Sequence, residues 1–141
     1  MIIQVLYDGE DGLSRWRDEP VALIPRLFAP PAGPIAASDP QPADAFLLLE
    51  LPAGWDDPAH PSPRRQTLMV LAGEAVNSFL MLAGEAEVTA GDSEIRRLGP
   101  GDLWRMEDTG GEGHRTKIVG EATFRAAVVQ HGEGEAPGPR A

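Results

Sequence analysis

The sequence predicts an all-β fold, a barrel or sandwich of short strands with little or no helix, and three observations support this. Glycine (16 residues) and proline (14) are frequent in a chain of 141 and break it into short apolar runs. Those runs recur at fairly even spacing, each bounded by Gly, Pro, Asp or Asn. No stretch keeps a 3.6-residue apolar period flanked by helix caps. Short strands joined by tight turns suit a closed or two-layered antiparallel sheet.

In chain order, strands are expected at 2–7, 21–24, 45–51, 66–71, 78–82, 86–89, 94–98, 103–107, 115–119 and 122–129. Segment 25–44, PRLFAPPAGPIAASDPQPAD, is proline-rich and is expected to wrap the barrel in extended form or to cover one of its mouths. The end, 131–141, HGEGEAPGPRA, has little to bury and reads as a disordered tail. Residues 1–130 then form one domain, and His131 is set aside as a ligand. Two adjacent segments, TLMVLAGEAVN (67–77) and SFLMLAGEAEV (78–88), share the string LAGEA. The offset between the copies is odd, so one straight strand would turn equivalent residues to opposite faces. An extra hairpin, a bulge or a strand exchanged with a partner subunit would each accommodate the duplication.

Composition narrows the function classes. The chain has the length of one domain with a real core. It has no cysteine, which removes disulfides, thiolate nucleophiles and cysteine-ligated metals. The opening MIIQVLYDGEDG lacks the basic and apolar regions of a secretion signal, and no apolar window is long enough to span a bilayer. A cytoplasmic protein without a membrane partner is the expectation. A net charge of −10 argues against a nucleic-acid partner, which would need clustered basic residues. Every basic residue except Lys117 is an arginine, the side chain suited to bidentate contact with carboxylate or phosphate.

Three segments, HPSPRRQ (60–66), LAGEAEVTAGDSEIRRLGPGD (82–102) and EDTGGEGH (107–114), together with the opening YDGEDGLSRW, resemble the cupin superfamily. The likeness is to its small single-domain bacterial members, covers most of residues 1–125, and implies an RmlC-like jelly roll, a double-stranded β-helix. The cupin pattern implies metal ligands from a His-x-His…Glu motif and a later histidine. Here the first histidine falls on His60, the second on Ser62, the glutamate on Gln66 and the later histidine on His114. The resemblance therefore implies an incomplete metal set of His60, Gln66 and His114, holding at best one weakly bound divalent ion (iron, nickel, manganese or zinc). It also implies a homodimer.

Strand alternation gives a separate reading of the first motif. If Gln66 points into the barrel, so do Arg64, Ser62 and His60, with Leu68 and Val70 continuing the same face, while Arg65 and Thr67 point out. The result is an apolar pocket with one polar side, the usual form of a small-molecule site. An inward Arg64 would need an anion, either Glu107, Asp108 or an anionic ligand. Glu107 or Asp108 could also supply a carboxylate to the histidines if its loop folds inward. Without a metal, His60 or His114 could act as general acid or base, with Arg64 and Gln66 steadying an enolate. Trp16, Trp55 and Trp104 could stack on a ligand, and Trp104 is placed with Gln66, Ser62 and Arg64 in the substrate-binding set.

The functional expectation is a cupin-type enzyme acting on an oxygenated organic acid, ketone or polyketide-like metabolite. His60, His114 and Arg64 would be its catalytic groups, and the depleted ligand set favours isomerase or cyclase chemistry over oxygenation. A metal-dependent dioxygenase and a non-catalytic ligand-binding or regulatory cupin are the alternatives. GPGD (99–102) is a turn, and GGEG (110–113) leads into a strand, so neither is a phosphate loop.

Overall fold

The computed structural model describes residues 1–70 and 84–132. Within them the chain is all-β, with eleven strands and no helix. The strands are β1 (Ile2–Asp8), β2 (Ser14–Pro20), β3 (Ile24–Arg26), β4 (Ile35–Ala37), β5 (Ala45–Leu51) and β6 (Gln66–Val70). They continue as β7 (Glu85–Thr89), β8 (Ile95–Leu98), β9 (Leu103–Met106), β10 (Arg115–Val119) and β11 (Phe124–Gln130). A six-stranded sheet, β2-β1-β9-β6-β11-β5, faces a three-stranded sheet, β10-β7-β8.

The pairing explains the barrel. β6 pairs with β11, and β7 with β10, both antiparallel, so the strands nest like the arms of one long hairpin rolled upon itself. Rolling such a hairpin splits it between two sheets, which is the jelly-roll solution to closing a β structure. The expected fold class, an all-β jelly roll, is therefore the observed one. Alternation decides what lies inside. In β7 Ala86 and Val88 are buried and Glu85 and Glu87 are not, while in β10 Thr116 and Ile118 are buried and Arg115 and Lys117 are exposed. With Leu6, Leu68, Leu98, Trp104, Phe124 and Val128 these side chains form one core. Burying each large member contributes roughly 1.5–3 kcal/mol relative to leaving it exposed.

Most expected strands appear within two residues of their predicted ends. β2 was not expected, because SRWRDEP is mostly polar. It is nonetheless a full antiparallel partner of β1 that buries Ser14 and Trp16. Within the segment 25–44, part pairs as the hairpin β3–β4, and the end of the segment touches the barrel. That part is pinned at three points. Gln41 accepts from Arg105, the Pro42 carbonyl from His131, and Asp44 from Arg64. His131, expected in a disordered tail, is instead buried, and its backbone N–H donates to the Arg65 carbonyl. Residues 133–141 lie outside the described residues. Most of the LAGEA duplication lies outside the described residues.

A buried polar network covers the outer face of the large sheet, opposite the core. Glu107 holds Arg17 and Arg65, both at 2.9 Å, and Arg105, 1% exposed, reaches Glu19 and Thr67. Burial pulls the Arg105 guanidinium below its ordinary range. His131 completes the network. Its Nδ1 donates to the Pro42 carbonyl at 2.7 Å, leaving Nε2 to accept from the Thr67 hydroxyl at 2.9 Å. That arrangement suits neutral histidine, and burial, the largest influence, pushes its pKa below the usual value.

Candidate functional site

One end of the barrel opens into an apolar cavity of about 290 Å³. Leu68 of β6, Trp104 and Met106 of β9, Phe124 of β11, and Leu49 and Leu51 of β5 line it. Trp55, Asp57, His60, Ser62, Pro63, Gln66, His114 and Thr116 complete the lining. Sequence alternation therefore places Gln66 and Leu68 correctly.

The two histidines meet because their backbones pair. His60 and His114 form an isolated antiparallel bridge, exchanging N–H···O bonds of 3.1 and 3.0 Å, and their rings stand 5.7 Å apart. Gly113 makes this approach possible. It sits at φ +75°, and a Cβ there would lie 2.0 Å from the His60 carbonyl carbon and oxygen. A non-glycine residue would be both strained and clashing. The glycine-rich loop is held from the other side as well. Ser14 Oγ donates to the Gly113 carbonyl at 2.7 Å, and the Gly110 N–H donates to Asp8. Burial, with Asp108 nearby, raises the Asp8 carboxyl above the usual range despite that hydrogen bond.

His114 is nearly enclosed. Its Nδ1 lies 2.6 Å from Oδ2 of Asp108, a carboxylate with no exposed surface, and Asp108 Oδ1 accepts from Ser62 Oγ at 2.8 Å. An ionised carboxylate only accepts, so the proton of neutral His114 resides on Nδ1 and the lone pair on Nε2. Trp104 packs edge-on against the same ring at 5.6 Å. His60 stands at the rim with its side chain 44% exposed, Nε2 3.2 Å from Asp57 and Nδ1 3.0 Å from the Pro61 carbonyl.

Arg64 is corrected by the structure. It is absent from the cavity lining and turns outward, donating to Asp44 at 2.7 Å and to Gln130 at 3.3 Å. Alternation fails there because residues 60–65 are not a strand. The chain bends at Pro63 and Arg64, and regular pairing begins only at Gln66. Glu107 and Asp108, both considered for the inward carboxylate, divide by parity. Glu107 points to the outer network, whereas Asp108, on the same side as Met106, reaches His114. Trp55 and Trp104 line the cavity, but Trp16 lies outside the lining, stacked near Trp104 at 6.3 Å with Arg96 over its ring. Asp57 carried no sequence signal. It sits in a loop, three residues before the histidine it contacts.

The donor set does not fit a firmly held metal. Among the described residues no group of three or more His, Asp or Glu side chains is arranged around a common point. Both ring nitrogens of His60 lie against acceptors, so a metal on either would displace Asp57 or the Pro61 carbonyl. Gln66 offers a neutral amide oxygen that already accepts from Gln130 at 3.2 Å. Only His114 Nε2 keeps a lone pair with no hydrogen-bond partner among the described residues. Stable sites for divalent metals normally use three or four protein ligands.

No family model matches the sequence, and no curated protein matches it. Among solved structures, the cupin domain of Schizosaccharomyces pombe Cnp3 is similar at 15% identity and a TM-score of 0.43. The match covers 94% of this chain and 83% of that one. A likeness this loose says nothing about the site. Among the described residues no helix is long and apolar enough to cross a membrane.

Proposed function

We propose that the cavity is the site of a small-molecule enzyme that moves protons without redox chemistry, an isomerase or cyclase acting on an enolisable carbonyl compound. The Asp108–His114 contact of 2.6 Å carries this reading, because it fixes the tautomer that leaves Nε2 as a base. In the proposed step Nε2 removes a C–H proton next to a carbonyl, and the electron pair of that bond moves onto the carbonyl oxygen. The Gln66 amide N–H, whose partner among the described residues is the Met106 sulfur at 3.6 Å, is the donor that would receive the enolate oxygen. The apolar walls exclude water and strengthen both contacts. His114 then returns its proton to the same carbon or another one, which gives exchange or isomerisation. Ser62 acts through Asp108, and Trp104 supports the His114 ring, so both are positioning residues.

The test is hydrogen exchange. Purified full-length protein in deuterated buffer would be given 2-tetralone, an uncharged enolisable ketone with two rings, and NMR would follow loss of its α protons. Exchange above the buffer rate should fall by about a hundredfold or more in His114→Gln, the usual range for losing a general base. Equal exchange by this variant would refute the reading. Metal content measured on untagged protein provides a second check. Stoichiometric metal lost in both His60→Ala and His114→Ala would replace this mechanism with a metal-dependent one, the dioxygenase alternative included.

A purely binding role is favoured by one observation: the described site has a single free imidazole nitrogen, so proton donor and acceptor must be the same group. Tight ligand binding with no exchange of any α proton would support that role.

A further inference from the structure

We infer that this cavity selects uncharged ring compounds carrying a hydroxyl or enolisable carbonyl, and turns away carboxylates and phosphates of the same shape. The inference rests on the cavity being the ligand site and names the ligand class it takes. It runs against the expectation that an inward arginine would call for an anion.

The lining provides the reason. Among the described residues it contains no arginine or lysine. Arg64, expected to point inward, is tied outward to Asp44. Arg17, Arg65 and Arg105 lie on the outer face of the large sheet, paired with Glu107 and Glu19, and Arg115 pairs with Asp56. The carboxylates at the site have no such cation. Asp57 stands at the rim beside His60, and Asp108 lies buried behind His114. An anionic ligand would lose its hydration, gain no cation and approach two negative charges.

The polar groups that do face a ligand describe its complement. His114 Nε2 accepts, so the ligand should bring one O–H or acidic C–H. Among the described residues Gln66 Nε2 donates only to sulfur, and the buried indole N–H of Trp104, a lining residue, has no partner. A ligand oxygen would satisfy a donor whose burial is otherwise uncompensated. Trp55, Trp104 and Phe124 put three aromatic rings among the apolar lining, and about 290 Å³ is at the small end for such pockets. A phenol or enol of two fused rings meets each of these conditions.

The experiment is calorimetric titration of full-length protein at neutral pH with 2-naphthol and 2-naphthoate, which differ in charge far more than in shape. Naphthol should bind, and naphthoate should bind at least about tenfold more weakly, because it meets buried negative charge without a counterion. Asp57→Asn, at the exposed rim where folding is little at risk, should narrow that ratio. Leu49→Trp, which fills the cavity, should abolish naphthol binding while circular dichroism stays unchanged. Equal or tighter binding of naphthoate would overturn the inference and leave the cavity as the site. Binding of neither compound, or naphthol binding that survives Leu49→Trp, would overturn the reading of the cavity as well.

Discussion

The carboxylate of Asp108 meets Nδ1 of His114 at 2.6 Å with no solvent access to either oxygen, and Ser62 Oγ occupies its other side. A buried carboxylate with two partners is both a structural joint and a chemical setting for the imidazole. Asp108→Asn should therefore cost about 1–3 kcal/mol of stability by leaving a buried hydrogen bond poorly made. It should also relax the tautomer of His114. Nitrogen-15 NMR of the ring should show a pure Nδ1–H form in the native protein and a mixture in the variant.

Asp8 makes a prediction about pH. Its folded-state pKa is raised from 3.8, so the folded chain prefers the neutral acid. The stability this carboxyl lends is present in acid and is lost as pH rises from 3.8 through the raised value. Asp8→Asn keeps an acceptor for the Gly110 N–H and removes repulsion with Asp108. It should raise the thermal midpoint at pH 7, with the gain vanishing below pH 3.8, where native Asp8 is protonated. A variant less stable than native at pH 7 would contradict this account.

Gly113→Ala should be among the most damaging substitutions outside the core. The added Cβ meets backbone at 2.0 Å, which a flexible side chain cannot relieve. Together with the left-handed backbone, this should cost roughly 3 kcal/mol or more. Urea unfolding would measure it, and loss of the His60–His114 bridge would appear as faster amide exchange at both residues.

Arg64→Ala separates the two placements of this side chain. Its bridge to Asp44 is partly exposed, so the loss should be about 0–1 kcal/mol, and naphthol affinity should not change. A tenfold change in affinity would return Arg64 to the site.

Among the described residues β5 is an edge strand of the large sheet, with Phe46 and Leu48 65% and 70% exposed. Unpaired backbone beside exposed apolar side chains is a place where chains associate, and the expected homodimer would have an edge to pair through here. Leu48→Lys should lower self-association in sedimentation velocity, with monomer persisting to higher concentration than for the native chain. An unchanged distribution would exclude β5 from any association.

Local chemistry made much of the fold readable. β7 and β10 alternate cleanly, the Gly-Pro-Gly-Asp turn closes with Asp102 accepting from the Gly99 N–H, and Gln66 and Leu68 share a face as a strand requires. β2 was missed because its burial comes from pairing with β1, and its own composition carries no sign of it. Arg64 was misplaced because alternation was extended through a bend, and His131 because a polar, glycine-rich context hid its contacts with Thr67 and Pro42.

Local signals in the chain read as a short-stranded β barrel, and the motif resemblance put His60, Gln66 and His114 at its pocket. Period-two apolar spacing, turn residues and motif order are local signals, and strand geometry turns them directly into faces. Tertiary structure alone decided which charged groups reach that pocket. Arg64 left for Asp44, Asp108 came in to His114, and Asp57 took up His60. Each of these choices is a contest between partners distant in sequence or set by a loop's path, and the winner depends on which burial leaves every charge paired.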